Sequence, residues 1–301
     1  MILGSHVTFS PKQLLSSVEE AIKFGSNTFM FYTGAPTNTI RKDIKEDYLS
    51  KAKELMKENN IDINNVICHA PYIINLGNKK NIEKYNFSID FLKKEILRCE
   101  ELGIKTLVLH PGNAVGITKE EGINNIINAL QEVIKVSKTV TIALETMSGK
   151  GTECGSNTEE ITHMINSLDN DLIGICIDTC HISDSGYNLE NFNEYLEELL
   201  SKIPLSKIKC LHINDSKNEV GSHKDRHANL GFGTLGFDNI LNVIYHEKLK
   251  DIPKILETPY IEKIEGSNEK IYPPYKQEIE MIKDKKFNPN ILEDIRKYYQ
   301  K

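Results

Sequence analysis

The stretch IGICIDTCHISDSG, residues 173–186, shows how this chain is organised. It begins with a short apolar run rich in isoleucine, as is typical of a buried strand. The run ends on Asp178, and His181 follows three residues later. These two side chains are compatible with a solvated turn, an acid–base pair or ligands for a metal, and the stretch alone does not decide between them.

Short β-rich runs alternate with longer stretches of helical spacing along all 301 residues. This alternation indicates βα units that build a parallel sheet, and about eight such units usually close into a barrel. We therefore predict an α/β protein consisting of a single (β/α)8 TIM-barrel domain, residues 1–301. The predicted strands are residues 2–7, 28–32, 66–70, 106–110, 141–145, 173–178, 209–214 and 254–257.

The stretch SIDFLKKEILRCEEL, residues 88–102, illustrates the predicted helices. Its apolar residues recur at helical spacing, Ser88 is predicted to cap its start, and Gly103 is predicted to end it. Polar residues 261–270 predict a loop insertion before a final helix, and residues 287–301 predict a terminal helix. Similar stripes predict helices at residues 11–24, 123–136, 158–168 and 189–200.

Composition excludes several classes of protein. No apolar run approaches the roughly 20 residues of a membrane span, and the opening residues lack a basic leader. The six cysteines form no C-x-x-C pair, which favours free thiols in a reducing compartment. We therefore expect a cytoplasmic protein, associated with the nucleoid if its source is bacterial. A net charge of −6 argues against holding nucleic acid by a general basic field.

Histidines and carboxylates stand at the ends of six consecutive predicted strands. Because the carboxyl ends of barrel strands converge on one mouth, side chains that are distant in sequence meet there. Carboxylates gathered in this way repel each other unless cations are present. The six residues are His69, His110, Glu145, Asp178, His212 and Glu257, and His181, Asp225 and His227 join them from loops.

Nine such residues exceed the needs of one catalytic zinc, which typically takes about three protein ligands plus water. Nine candidate ligands are enough for three ions if one carboxylate bridges two of them. Imidazole and carboxylate together suit Zn²⁺, with Mn²⁺ or Fe²⁺ as alternatives. Because three divalent cations would offset the formal charge of −6, the acidic pI ceases to exclude a polyanionic substrate. Asp178 and His181 are then predicted to straddle a turn and serve different ions.

The strings ICIDTCH, GSHKDRHANLGFG, LVLHPG, ALETMSGKG and LETPY resemble the endonuclease IV family of apurinic/apyrimidinic endonucleases, in matching order over essentially the entire chain. The resemblance implies a barrel with three Zn²⁺ ions at its mouth. It also implies cleavage of DNA 5′ to an abasic nucleotide during base excision repair, which leaves a 3′-hydroxyl and a 5′-deoxyribose phosphate, and trimming of blocked 3′ ends.

By the same resemblance, each of the nine residues is assigned to an ion. His69, His110 and a bridging Glu145 are implied to hold one zinc; Glu145, Asp178, His212 and Glu257 the second; His181, Asp225 and His227 the third. Glu145 and Glu257 are the residues we expect to be catalytic.

Loops at the barrel mouth are implied to enter double-stranded DNA and keep the abasic site extruded. Tyr72 and Ile73 match that apolar wedge. Some members place an arginine where this chain has Thr37, so we expect Asn38 or Arg41 to contact the DNA backbone instead. We further expect His223 to contact phosphate and His6 to hydrogen-bond a metal ligand. The implied enzyme is a monomer that needs neither a membrane nor an obligatory protein partner.

Two other classes of protein stay open at this stage. A sugar isomerase or epimerase of the xylose-isomerase-like barrels could use Glu145, Asp178, His212 and Glu257 alone, but it leaves five ligands without a role. A non-catalytic zinc-stabilised DNA-binding module is disfavoured by the lack of a basic stripe and of thiolate ligands. The stretch GFGTLG, residues 231–236, matches G-x-G-x-x-G but follows a polar loop, so we interpret it as a turn.

Overall fold

Eight parallel strands close into a barrel in the computed structural model, which describes residues 1–300. Neighbouring strands follow chain order and the last pairs with the first, which confirms the predicted (β/α)8 TIM barrel. The strands are β1 Leu3–His6, β2 Thr28–Phe31, β3 Ile67–His69, β4 Thr106–Leu109, β5 Thr141–Glu145, β6 Ile173–Asp178, β7 Ile208–Ile213, β8 Asp215–Ser216, β9 His227–Ala228, β10 Lys254–Leu256, β11 Ile261–Glu262 and β12 Lys270–Tyr272. The pairs β8–β9 and β11–β12 are antiparallel and lie outside the barrel.

All eight predicted barrel strands are present. Those at residues 141–145 and 173–178 have the predicted bounds, and the others differ by one residue at one or both ends. The segment predicted as a loop insertion contains the short hairpin β11–β12 instead. The Tyr272 ring of this hairpin stacks on Tyr299 of the last helix, with ring centroids 5.2 Å apart, so aromatic packing fixes a segment whose polar sequence suggested a loop.

Helices surround the barrel and connect its strands. They are α1 Leu14–Lys23, α2 Glu46–Glu58, α3 Ile82–Leu102, α4 Lys119–Val133, α5 Thr158–Leu168, α6 Thr179–Ser185, α7 Phe192–Leu200, α8 Phe237–Ile244, α9 Tyr275–Asp284 and α10 Ile291–Tyr299. The terminal helix predicted within residues 287–301 is α10, whereas α2, α6 and α8 were not predicted from the sequence. Among the described residues, no helix is both long and apolar enough to cross a membrane.

Helix α3 is longer than its apolar stripe indicated, and the predicted cap at Ser88 was wrong. The Asn81 side chain caps the start by accepting a hydrogen bond from the Lys84 amide at 3.1 Å. Ser88 is buried inside the helix, where its hydroxyl donates to the Lys84 carbonyl at 2.8 Å. Gly103 ends the helix in the left-handed conformation (φ 84°), as predicted.

The barrel interior is filled below its mouth by one layer of small and medium side chains. Seven strands each contribute one fully buried residue to that layer: Met30, Ile67, Val108, Ala143, Cys176, Cys210 and Ile255. A larger apolar cluster fills the space between the barrel and the helices. The apolar layer closes the barrel from below, so polar side chains at the strand ends face a cavity that opens only at the mouth.

Candidate metal centre

The strand ends deliver the predicted ligands to one place. His69, Glu145 and Asp178 are the last residues of β3, β5 and β6. His110 and Glu257 directly follow β4 and β10, and His212 lies one residue before the end of β7. The cavity at the mouth has a volume of about 360 Å³, and its lining includes His69, His110, Glu145, His181, Asp225, His227 and Glu257.

The Glu145 carboxylate lies at the centre of the cluster and is buried. Its Oε2 atom lies 3.2 Å from His69 Nε2 and 3.1 Å from His110 Nε2. Its Oε1 atom lies 3.0 Å from His212 Nδ1 and 3.3 Å from His181 Nδ1. Because its two oxygens face different histidines, the carboxylate has the geometry of a bridge between two cation positions.

A second group of ligand atoms surrounds His212. One atom from each of Glu145, Asp178, His212 and Glu257 lies within 4.8 Å of the others. His212 Nδ1 is 3.0 Å from Glu257 Oε2 and 4.0 Å from Asp178 Oδ2. These residues are one imidazole and three carboxylates, a set of donors that suits a divalent cation.

A third group lies around His181. Its Nε2 atom is 3.1 Å from Asp225 Oδ1, which is also 3.5 Å from His227 Nε2. The predicted turn between Asp178 and His181 is in fact the start of α6: Asp178 caps the helix by accepting from the His181 amide at 2.8 Å. One aspartate thus starts the helix with Oδ1, while its Oδ2 faces His212 and His227 at 4.0 and 3.9 Å.

Backbone carbonyls orient three of the histidines. His69 Nδ1 lies 2.7 Å from the Ala70 carbonyl oxygen, and His181 Nδ1 lies 2.8 Å from the Thr146 carbonyl oxygen. His227 Nδ1 lies 3.3 Å from the Glu257 carbonyl oxygen. A proton on each Nδ1 donates to the carbonyl and leaves the Nε2 lone pair facing the carboxylates. His227 Nε2 is buried without a hydrogen-bond partner, as expected for an atom that binds a cation. The residues therefore fit metal ions.

Comparison with known proteins agrees with the fold and shows the family of the chain. A family model described as a xylose isomerase-like TIM barrel matches residues 18–285. The probable endonuclease 4 of Enterococcus faecalis is 49% identical over 299 residues, covering 98% of this chain and 99% of that protein. The probable endonuclease 4 of Bacillus subtilis is 50% identical over 296 residues, covering 97% and 98%. The chain belongs to the endonuclease IV family.

A solved structure supports the fold of this endonuclease IV family member. The crystal structure of endonuclease IV from Thermus thermophilus superposes with a TM-score of 0.80 at 22% identity, covering 94% of this chain and 98% of that one. At that identity the superposition establishes a shared barrel only. Membership of the family rests on the much closer sequence relatives.

Opposing electrostatic effects set the charge state of the cluster. Burial raises the pKa of Glu145, but the neighbouring histidines, His212 first, outweigh burial and hold that pKa well below its ordinary value. Burial lowers the pKa of His181 and His212, but carboxylates outweigh burial and raise both pKa values well above the ordinary value. The chief carboxylates are Asp178 for His181 and Glu257 for His212. Because metals bind deprotonated ligands, ion and proton compete for these nitrogens.

Aromatic side chains and His6 cover one side of the cavity. The Tyr72 ring is 55% exposed, with its centroid 5.5 Å from that of His110 and 5.6 Å from that of Tyr32. Ile73 is partly buried and packs against the core. Burial lowers the pKa of His6 to about 4, so its imidazole is neutral, and its Nε2 atom has no hydrogen-bond partner. Within the described residues, this nitrogen therefore does not form the hydrogen bond to a metal ligand that was expected of His6.

The other residues expected to contact DNA are partly engaged within the protein. Arg41 faces inward and pairs with Glu95 at 2.7 Å. Asn38 is half-buried, and its Oδ1 accepts from the Ile40 amide at 3.0 Å. His223 is exposed on the rim, with its Nδ1 2.8 Å from the Ser148 carbonyl oxygen.

Sequence reasoning missed Tyr32 and Asp184. Tyr32 lines the cavity, and its hydroxyl is buried without a hydrogen-bond partner. It directly follows β2, so the rule that strand ends face the mouth would have found it if applied to every strand. Asp184 is a fully buried carboxylate on α6, and only its tertiary contacts reveal it.

The turn interpretation of GFGTLG is supported by its contacts. Asp215 accepts hydrogen bonds from the Gly231 and Gly233 amides at 2.9 and 3.1 Å, and from the Leu235 amide at 3.0 Å. A Cβ atom at Gly233 would overlap the Ser216 carbonyl and the Asp215 carboxylate. The glycines therefore allow the backbone to wrap closely around an aspartate.

Proposed function

We propose that this chain is a zinc-dependent apurinic/apyrimidinic endonuclease of base excision repair. It cleaves the phosphodiester bond 5′ to an abasic nucleotide, leaves a 3′-hydroxyl and a 5′-deoxyribose phosphate, and removes blocking groups from 3′ ends. The observation that carries the proposal is the convergence of eight histidine and carboxylate side chains on one cavity together with a ninth, the buried, two-sided carboxylate of Glu145. The family relationship to proteins named probable endonuclease 4 supports it.

Three Zn²⁺ ions are assigned to the three ligand groups. His69, His110 and Glu145 hold the first ion, and Glu145 shares the second with Asp178, His212 and Glu257. His181, Asp225 and His227 hold the third. A site that needed only one ion to polarise a sugar would give no role to the first and third groups, so the ligand set favours phosphodiester chemistry over that of a sugar isomerase.

Bound zinc would activate the attacking water and neutralise the negative charge that develops on the phosphate. The protein's part is to hold the ligands rigidly and to admit the phosphate. Glu145 is 1% exposed and serves as the fixed bridge, whereas the Glu257 side chain is 15% exposed and can touch a substrate in the cavity. Both are therefore proposed as catalytic. Desolvation at the cavity and the negative charge of Glu257 raise the pKa of Tyr72 to about 12, although the residue as a whole is half-exposed.

The DNA-contacting surface is proposed on the loops around the cavity. Tyr72 and Ile73 form the wedge that occupies the space left when the abasic nucleotide is extruded, a step made easier because no base has to be unstacked. Asn38 contacts the DNA backbone, and Arg41 holds the loop on which Asn38 lies. His223 contacts phosphate at the rim, and His6 lines the cavity as a neutral imidazole.

The partner of the proposed enzyme is double-stranded DNA that carries abasic sites or blocked 3′ ends. We propose that residues 1–301 act as a single-domain monomer without an obligatory protein partner. Its place would be the cytoplasm, at the nucleoid, in line with the bacterial source of its relatives.

One preparation tests the proposal in two ways. The metal content of the purified chain is measured beside cleavage of a duplex with one internal abasic site, with the undamaged duplex as the matched control. About three zincs per chain and cleavage confined to the abasic strand are expected. Epimerisation of a ketohexose without cleavage would favour the sugar-isomerase alternative, and zinc binding without any turnover would favour a DNA-binding module.

A further inference from the structure

The loop between β8 and β9 carries Asp225 and leads into His227, two of the three ligands assigned to the third zinc. Its backbone is locally strained. His223 and Asp225 have φ values of 54° and 56°, a left-handed conformation that is uncommon for residues other than glycine, although Asp and His adopt it more readily than most. A strained conformation of this kind persists only when the surrounding structure enforces it.

Asp184 holds the loop in this conformation through hydrogen bonds. Its Oδ2 atom accepts hydrogen bonds from the Asp225 amide at 2.7 Å and from the Lys224 amide at 3.3 Å. It also accepts from Asn218 Nδ2 at 3.3 Å, while Oδ1 accepts from the Ser216 hydroxyl at 2.7 Å. One carboxylate therefore accepts hydrogen bonds both from the start of the loop, at Ser216 and Asn218, and from the ligand residue Asp225 near its end.

The backbone around Asp184 accepts two further hydrogen bonds from the loop. The Asp184 carbonyl accepts from the His223 amide at 2.9 Å, and the Ser183 carbonyl accepts from the Gly221 amide at 2.9 Å. Asp184 lies three residues after His181 on α6. One short helix thus holds one ligand of the third group and, through Asp184, the loop that delivers the other two.

The contacts of Asp184 point to a dedicated role in the loop. The side chain is fully buried, and among residues 1–300 its oxygens accept from backbone amides, an Asn side chain and a hydroxyl, without an ion pair to a Lys, Arg or His side chain. A buried carboxylate without a cation is stable only if it accepts several hydrogen bonds. All four of its donors belong to the loop or to Ser216 at its base, so removing the carboxylate releases the loop and little else.

We propose that Asp184 is a positioning residue for the third zinc: it holds Asp225 and His227 against His181 before the ion binds. The proposal rests on the three-zinc assignment above. It predicts that changing Asp184 weakens one of the three sites selectively and leaves the two sites that share Glu145 occupied.

The test variant is Asp184→Asn, which keeps the shape of the side chain but replaces one acceptor oxygen with an amide nitrogen. Asp215→Asn is the matched control, because Asp215 is also buried and accepts several backbone hydrogen bonds but binds the glycine turn at residues 231–235. Zinc content is measured after dialysis against buffers of defined free zinc. We expect three zincs in the wild type and the control, and two in Asp184→Asn, with affinity for the third about 10- to 100-fold weaker.

A second readout needs no metal at all. Lys224 and Arg226 are exposed trypsin sites inside the loop. In zinc-free protein, Asp184→Asn should be cleaved there at least about tenfold faster than wild type or Asp215→Asn, because a released loop fits a protease site. If Asp184→Asn does not fold, Ser216→Ala removes the hydrogen bond to Oδ1, together with the one that the Ser216 hydroxyl accepts from the Asn218 amide at 3.1 Å. It leaves the three hydrogen bonds to Oδ2 in place and should show a smaller shift in the same two measurements.

The outcomes separate this proposal from the zinc assignment. A wild-type protein that binds fewer than three zincs overturns the assignment and this proposal with it. If the wild type binds three zincs, then three zincs of unchanged affinity in Asp184→Asn, or in Ser216→Ala where only that variant folds, overturn the role of Asp184. Selective loss of one zinc together with faster cleavage in the loop supports it.

Discussion

Arg41 and Glu95 form an ion pair that is almost completely withdrawn from solvent, with Nε and Oε1 2.7 Å apart and side chains 8% and 0% exposed. Thr33 donates to the other Glu95 oxygen at 2.6 Å. The guanidinium also lies over the Phe91 ring at 5.0 Å and donates to the Asn38 and Ile40 carbonyls at 3.2 and 3.0 Å. A single arginine thus connects the loop after β2 to helix α3.

Breaking this pair should destabilise the protein strongly, because the remaining partner is a buried charge. We expect Arg41→Met to lower the free energy of unfolding by about 3 to 5 kcal/mol, measured by urea denaturation at matched zinc content. The double variant Arg41→Met, Glu95→Gln is the control and should recover part of the loss. An Arg41→Met protein as stable as the wild type would show that the pair does not hold the loop.

Replacing the bridging carboxylate should cost more than replacing a ligand of one ion. Because a metal's stabilisation of developing charge is worth several kcal/mol, Glu145→Gln should reduce turnover on an abasic duplex by about a thousandfold. Asp225→Asn, which touches one ligand group only, should lose less activity and retain more zinc. Near-normal turnover and metal content in Glu145→Gln would contradict the bridging role.

Metal removal should be slow. In the proposed site several ligands would hold each ion, and the cluster is largely buried, so activity should require no added Mg²⁺ and should survive brief exposure to EDTA. Long incubation with a strong zinc chelator should abolish activity, and added Zn²⁺ should restore it. Immediate loss in EDTA that Mg²⁺ alone reverses would instead indicate a magnesium-dependent nuclease.

The proposed role of Tyr72 and Ile73 in extruding the abasic nucleotide can be tested separately from phosphate hydrolysis at the metal centre. Doubly truncated Tyr72→Ala, Ile73→Ala protein should lose cleavage at an internal abasic site much more than removal of a terminal 3′-phosphate, because a strand end requires little extrusion. Val115→Ala is the control, since Val115 is also apolar and 55% exposed on a neighbouring mouth loop. Both activities are assayed at matched zinc content and melting temperature, and equal losses in the two would exclude a wedge.

Stability should depend on pH through Glu278. Burial raises the pKa of this carboxyl from 4.5 to about 7, although Thr258, Leu230 and Asn229 donate hydrogen bonds to it. A raised pKa means that the folded protein favours the neutral acid. The stability that Glu278 contributes is therefore fully present below pH 4.5 and is lost as pH rises through about 7.

The measurement compares the wild type with Glu278→Gln, whose amide stays neutral. Relative to this variant, the wild type should lose up to about 3 kcal/mol of unfolding free energy between pH 4.5 and 7 and change little above that. Glu280→Gln, at an exposed carboxylate on the same helix, is the control and should show no such trend. A pH-independent difference for Glu278→Gln would mean that its hydrogen bonds keep the carboxylate ionised.

Much of the molecule follows from local sequence. Short β-rich runs alternating with helical stretches located the eight barrel strands to within a residue. The parallel arrangement brings the His, Glu and Asp residues at six strand ends to one mouth. Boundaries that depend on side-chain capping were less predictable. Asn81 rather than Ser88 caps α3, and Asp178 starts a helix where a turn was expected.

The sequence by itself determined the period of the barrel and the chemical types at its strand ends, because both are set by residues next to each other along the chain. Only the tertiary structure decided which nitrogen of each histidine faces the carboxylates, that Arg41 turns inward to Glu95, and that Asp184 holds the strained loop of Asp225. Arg41 and Glu95, like Asp184 and Asp225, are far apart in sequence, so their interactions depend on distances that exist only once the barrel has closed.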